Sequence, residues 1–470
     1  MSTSRNRREF IRLSTMASLG FLGLSKFACT PSGQTEALRV ALSAPGYGPL
    51  IKDPKGLFDL PKGFGYQVIS RWGDPMDDGL LVPNRGDGMA TFTRPDGKMV
   101  LIRNHEISPD DFKSGAFGKE NERLAKMATH RFYDFGRGQT PGLGGTTSVI
   151  FDEDHQQVVS QYMSLAGTIR NCAGGPTPWG SWITCEENTD RADDVLEKDH
   201  GFNFEVPATA DGLVMPVPLT DMGRFNHEAV CVDPRTGIVY QTEDRGDGLI
   251  YRFVPHAPGE LQRGGKLQAL KIHDAPQKDT RNWTDHTGFP ERVAFAVTWI
   301  DIENVLSPED DLRHQGFDKG AAVFARGEGM WFGNNEVYFA CTNGGRIQKG
   351  QVFRYIPSEF EGTPQEADAP GKLELFAEPN HTDICKHCDN LTVAPWGGLM
   401  LCEDADDPNL VGLTPEGKFY IFGKNVGHPD SELTGVCFSP SGRTLFVNIQ
   451  HAGLTLAIQG PWQKKHTPAA

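Results

Sequence analysis

One pattern recurs along this chain and limits what it can fold into. A polar opener leads a short apolar run. A turn of Pro, Gly, Asn or Asp follows, and a second apolar run ends on a polar closer. The stretches are "GDGMATFTRPDGKMVLIRNHE" (86–106), "NCAGGPTPWGSWITCEEN" (171–188), "HEAVCVDPRTGIVYQTED" (227–244), "EGMWFGNNEVYFACTN" (328–343), "CDNLTVAPWGGLMLCED" (388–404) and "GVCFSPSGRTLFVNIQ" (435–450). Apolar runs on either side of such turn chemistry form β-hairpins. After four of the hairpins comes a third strand with a shared pattern, seen in "GFNFEVP", "GLIYRFVP", "GQVFRYIP" and "GKFYIFG". Six copies of one supersecondary unit predict an all-β, six-bladed β-propeller with inserted loops. A Greek-key sandwich is the competing architecture, but sandwiches do not repeat one hairpin grammar.

In an antiparallel hairpin the start of the first strand lies beside the end of the second. Around a propeller axis, openers and closers therefore converge on one mouth. The openers include Asp87, Cys172, Glu228, Glu328 and Asp389. The closers include Asn104, His105, Glu106, Glu186, Glu187, Glu243, Asp244, Asn343, Glu403, Asp404 and Asn448. So many carboxylates repel unless cations neutralise them or some keep their protons. Hard oxygen donors in this number suit calcium, and a thiolate with a His beside them suits a softer transition metal.

The formal net charge of −15 argues against nucleic acid as the main partner, because phosphate backbones call for Lys and Arg. The N-terminus carries Arg7 and Arg8, then Phe10 and Ile11, then an apolar run to Leu24 too short to span a bilayer. This resembles a twin-arginine export signal, so residues 1–37 are set apart from a single catalytic domain over 38–470, and a periplasmic or extracellular location is expected. Cys29 follows the apolar run as a candidate lipidation site, although Lys26 and Phe27 fit a lipobox poorly. Cys185, Cys231, Cys341, Cys402 and Cys437 lie in apolar strand-like runs and read as small buried hydrophobes. Cys385 and Cys388, in "CKHC", have no second metal-binding pair and read as a local disulfide or free thiols rather than a zinc site.

The segment at 171–188 resembles the signature of the PhoX-type alkaline phosphatases. "ARGEGMWFGNNEVYFACTNGG", "CDNLTVAPWGGLMLCED" and "TGVCFSPSGRTLFVNIQHAG" resemble later segments of that family, in the same order, and the likeness runs from about residue 40 to about 460. The resemblance implies a twin-arginine-exported, six-bladed propeller with a mixed iron–calcium cluster (Fe3+ and Ca2+) at its mouth, hydrolysing phosphate monoesters and in some members diesters. It implies Cys172 as an iron thiolate, Glu328 as a metal ligand with Arg326 facing the phosphate, and Glu228 as another metal-binding Glu. Asp389, or alternatively Glu403 or Asp404, supplies a late carboxylate. The division of Glu186, Glu187, Glu243 and Asp244 between calcium and outer positions stays open.

The chemistry expected is a clamp of cations and one bidentate guanidinium on the nonbridging oxygens, with a metal-activated nucleophile. There is no G-x-S-x-G, H-E-x-x-H or P-loop sequence to suggest another route. Asn104 and Asn343 are candidates to bind phosphate or orient ligands, and His105 and His227 are candidate general acids. Trp179 and Trp331 read as packing residues. The expected partners are small-molecule phosphate esters and the export machinery, and the expected state is a monomer. The alternative function is a calcium-dependent propeller lactonase or esterase, or a metal-binding propeller without phosphatase activity.

Overall fold

The computed structural model describes residues 46–463, apart from 285–287 and 382. Arg7, Arg8 and Cys29 lie outside the described residues. The chain divides into Met1–Gly48 and Pro49–Ala470, and the second unit carries the strands.

The hairpins form where the repeat places them. Each turn puts a left-handed residue at its tip: Gly97, Gly180, Gly237, Gly397 and Gly442, with Asn334 and Asn335 in the remaining hairpin. These residue types reach positive φ at low cost, and the sharp reversal that results sets the register of the flanking strands.

Four separate sheets and one nine-stranded sheet make a propeller-like, all-β arrangement. Gly86–Thr93, Met99–His105, Gly145–Asp152 and Gln157–Ala166 form one antiparallel meander, and Asn171–Pro176, Ser181–Glu186 and Asn203–Pro207 form the next. The nine-stranded sheet starts at His227–Val232 and runs outward to Gly265–Ile272. It passes through Ala294–Asp301 and returns through Lys372–Ala377, Gln351–Ile356 and Glu336–Cys341 to Gly327–Gly333. Cys388–Val393 opens the following sheet. The last one, Leu433–Phe438 to Leu454–Gln459, takes its outer strand from Gly65–Arg71 near the start of the chain. Each inner strand packs on the next, and Leu433–Phe438 packs back on Gly86–Thr93, so the ring closes.

The inner strands approach closely. A Cβ on Gly88 would lie 2.6 Å from Ala173 Cα, and one on Gly329 would lie 2.6 Å from Asn390 Cα. Below the mouth the axis narrows to a cavity of about 20 Å³ between Met89, Trp182, Met330 and Trp331, enough for about one water molecule. Cys185, Cys231, Cys341, Cys402 and Cys437 are buried in the sheets, and Cys385 and Cys388 are free thiols. No disulfide forms among the described residues.

Candidate metal centre

The same backbone irregularity places the opening donor of five hairpins. In each of these the first strand pairs once with its neighbour and then slips by one residue. Gly86 faces His105, but Met89 faces Arg103. The slip recurs after Asn171, His227, Gly327 and Cys388. A bulge re-aims the residue it leaves unpaired. Asp87, Cys172, Glu228, Glu328 and Asp389 are the first residues of these bulges. In the last hairpin the bulge opens with Gly435, at φ 67°, where a Cβ would lie 2.2 Å from Asp87 O, so no side chain enters there.

The donors meet in three overlapping groups: Asp87, Glu106 and Cys172; Cys172, Glu187 and Glu228; Glu228, Glu328 and Asp389. Within each group the donor atoms lie within 4.8 Å of one another. Cys172 belongs to the first two groups and Glu228 to the last two, so the groups join into one arc.

Both carboxylate oxygens of Glu228 are buried without a hydrogen-bond partner, and so is Oδ1 of Asp87. Burial, reinforced by the neighbouring acids, pushes Asp87, Glu228, Glu328 and Asp389 well above the usual carboxylate range and raises the Cys172 thiol. Burial and the Glu106 charge push Glu187 up to about 8, against the pull of Arg170. A buried carboxylate that finds neither donor nor cation holds a proton instead. A thiol flanked by oxygen donors, some of them unpartnered, fits a mixed hard and soft cation site.

A second repeat surrounds this arc. Two residues before each of the five bulge donors stand Arg85, Arg170, Asn226, Arg326 and His387, and in the last hairpin Glu432, three residues before Gly435, plays the same backbone part. Their carbonyls accept the N–H of Glu106, Glu187, Asp244, Thr342, Asp404 and Gln450 respectively, at 2.9–3.1 Å. Arg85, Arg170, Arg326 and His387 all hold positive φ, 46–52°, a conformation that side chains other than Gly, Asn and Asp enter at a cost. Arg170 pairs with Glu106 at 2.8 Å and with Glu187. Arg326 binds Asp244 through two N–H groups, at 2.7 and 2.8 Å, and approaches Glu328 at 3.1 Å.

The neighbouring acids divide by strand alternation. Side chains one residue apart point to opposite faces. Glu187 enters the arc, and Glu186 turns into its sheet. There Glu186 accepts N–H bonds from Ile169, Gly201 and Phe202 and meets His200 Nδ1 at 2.6 Å. Glu243 likewise accepts from Leu249 N and Tyr251 OH, and Glu403 from Lys386 N and Asn409 N. These three expected ligands therefore stand outside the donor groups. Asp244 is taken up by Arg326, and Asp404 lies on the exposed rim, its N–H given to the His387 carbonyl.

Asn104 and His105 also do structural work. Asn104 Nδ2 donates to Cys172 O at 3.1 Å and to Ala173 O at 2.6 Å, while its Oδ1 accepts from Trp182 Nε1. It fixes the Cys172 backbone rather than facing a substrate. His105 is 1% exposed, with its ring nitrogens on Asn84 O and Thr147 Oγ1. His227 is buried against Phe225 and its Nε2 meets Gly223 O. Neither imidazole reaches the mouth as a general acid. Asn343 gives its carbonyl to Trp283, and Asn448 Nδ2 holds the Asp87 carbonyl. Trp179 donates to Glu205, and Trp331 packs among three apolar clusters.

The rim arginines Arg85 and Arg170 are the residues that sequence reasoning missed. Their signal is in the chain: "RGD", "RNC", "RGE" and "HCD" each put a basic residue two positions before a donor.

A propeller-like ring that gathers one thiol and six carboxylates at its axis is a candidate cation site. The chain is a member of the PhoX alkaline phosphatase family, whose model matches residues 45–453. No curated protein matches it significantly in sequence. Among solved structures it is similar to a gluconolactonase of Xanthomonas campestris (12% identity, 89% of this chain and 99% of that chain, TM-score 0.37). It is also similar to an auxiliary nutrient binding protein of Bacteroides ovatus (8% identity, 85% of this chain and 78% of that chain, TM-score 0.42). A luciferin-regenerating enzyme shows a likeness of the same order (10% identity, 86% of this chain and 97% of that chain, TM-score 0.40). Likenesses this distant say nothing about activity.

Proposed function

We propose that this chain is a metal-dependent hydrolase of phosphate monoesters, with diesters as a further substrate class, working at the axial mouth of a six-bladed propeller. The blade count takes the nine-stranded sheet as two blades joined at their outer edges. The observation that carries the reading is Glu228, with two buried, unpartnered carboxylate oxygens at the junction of two donor groups. Calcium and ferric iron are the proposed ions. Cys172 serves the softer one, and Asp87, Glu106, Glu187, Glu228, Glu328 and Asp389 supply the oxygen donors. Cations bound there supply Lewis acidity toward phosphoryl oxygens and a water of lowered pKa.

The chain's own residues orient the ester. Asp244 and Glu328 fix the Arg326 guanidinium, whose side chain is 37% exposed. Its Nε and Nη2 are committed to Asp244, so the expected bidentate clamp becomes an end-on contact through Nη1. The narrow axis beneath the arc means that substrate enters and product leaves by the mouth alone. Export by the twin-arginine route, a periplasmic or extracellular location and a monomeric state belong to the same proposal, supported by the Arg7–Arg8 sequence and the family.

The test is a substrate panel on the full chain with calcium and iron supplied: p-nitrophenyl phosphate, bis(p-nitrophenyl) phosphate and gluconolactone. Phosphate-ester turnover that a chelator abolishes and the metals restore is the expected result. Lactone turnover with calcium alone, and none on either phosphate ester, would replace the phosphatase by a calcium lactonase.

A further inference from the structure

The rim repeat holds a difference that the cation site does not explain. Arg85 and Arg326 occupy the same place in their hairpins. Each stands two residues before a cage acid, Asp87 or Glu328, at φ 52° or 50°. Arg326 and Arg170 are bound to carboxylates. Arg85 is half-buried, and its hydrogen bond goes to the neutral Gln450 amide at 3.4 Å, with no carboxylate paired to it among the described residues.

Gln450 is itself oriented by the cage. Its Nε2 donates to Asp87 Oδ2 at 2.8 Å and to Glu106 Oε2 at 3.0 Å, which leaves Oε1 to turn toward Arg85. The guanidinium is therefore tethered beside the donors while its charge stays without an anionic partner. Glycine would hold this left-handed position without strain, yet the chain places a guanidinium there. The hairpins that carry the two arginines also stand opposite in the ring: counted along the inner strands in contact, Gly86–Thr93 and Gly327–Gly333 lie three steps apart in either direction.

We propose that Arg85 is a second substrate-binding guanidinium, which takes a nonbridging oxygen of the phosphoryl group from the side of the mouth opposite Arg326. This rests on the phosphate-ester reading above. It extends that reading, because a phosphoryl group held from two sides is selected for its charge and its tetrahedral spread of oxygens.

The experiment uses the metal-loaded full chain and its Arg85→Asn and Arg85→Lys variants. Asn tolerates the left-handed backbone, and Lys keeps the charge without the fork. KM and kcat on p-nitrophenyl phosphate, inhibition by inorganic phosphate, metal content and Tm are measured together. The expected result for Arg85→Asn is a rise of about tenfold or more in both KM and the phosphate inhibition constant, the size of a lost charge-assisted contact. Metal content and Tm stay at the wild-type values, and Lys recovers part of the loss. An active wild type beside an Arg85→Asn protein with unchanged KM and unchanged phosphate inhibition overturns the role of Arg85 alone. A wild type that neither hydrolyses the ester nor is bound by phosphate overturns the underlying reading, and this inference with it.

Discussion

Glu186 and Glu228 sit in neighbouring hairpins, 0% and 1% exposed, and they differ in everything else. Glu186 takes three backbone N–H groups and an imidazole. Glu228 takes none. Burying a charge is tolerated only when something pays for its lost water. For Glu186 the protein does so itself, and His200 is held between it and Asp134 at 2.6 and 3.3 Å. For Glu228 the chain supplies no such partner, so a cation or a proton must neutralise it. The contrast separates acids that build the ring from acids that the ring presents.

The widest break in that comparison is Glu228→Ala. It should remove metal and activity together, a loss beyond the roughly 10- to 100-fold that supporting residues typically cost, while Tm in chelator stays level or rises, since an unsatisfied buried acid is gone. Glu186→Ala should do the reverse to stability. It strands a buried imidazolium and three N–H groups, so a denaturant melt should show a loss of about 3–5 kcal/mol. Equal effects of the two substitutions on Tm would erase the distinction.

Cys172→Ser should follow. It should loosen iron and any thiolate-to-ferric colour, read in the visible spectrum, with the fold intact and the calcium content least affected. Asn104→Ala should be milder. It frees the Cys172 and Ala173 carbonyls and the Trp182 N–H, and metal affinity measured by chelator competition should fall about 10- to 100-fold.

The smallest effect is a pH slope. Burial alone would depress the His200 imidazolium, but the Glu186 charge and the hydrogen bonds to Asp134 and Glu186 outweigh it and push the pKa up to about 9. An unfolded His titrates near about 6.5. Between those values the native state holds a proton that the unfolded state has lost. This contribution is therefore fully present below about pH 6.5 and is lost as the pH rises through about 9. His200→Asn should flatten that part of the Tm–pH curve, and an unchanged slope would place the titration elsewhere.

Much of this was legible in the sequence because the signals are local. Turn chemistry at Gly97, Asn334–Asn335 and Gly442 marks hairpins without reference to the rest of the chain, and recurrence singled out Asp87, Cys172, Glu228, Glu328 and Asp389. The pairs Glu186–Glu187, Glu243–Asp244 and Glu403–Asp404 were harder. Alternation says that the two members of a pair diverge, but only register and the neighbouring loop decide which one meets the mouth. The tasks of His105, Asn104 and Asp244 depend on partners 42, 68 and 82 residues away, which no local pattern encodes. The closing strand Gly65–Arg71 and the join through Ala294–Asp301 lie outside the repeat altogether.

Whether the mouth is a cation site that Glu228 completes is decided by the metal stoichiometry of the purified wild type and of Glu228→Ala. Elemental analysis gives it, with p-nitrophenyl phosphate turnover recorded on the same samples. Iron and calcium should be bound to an active wild type, and both should be depleted, with turnover, in Glu228→Ala. A wild type that turns over the ester at full rate with neither metal, or a Glu228→Ala protein that keeps both metals and its activity, would contradict a metal-dependent mouth.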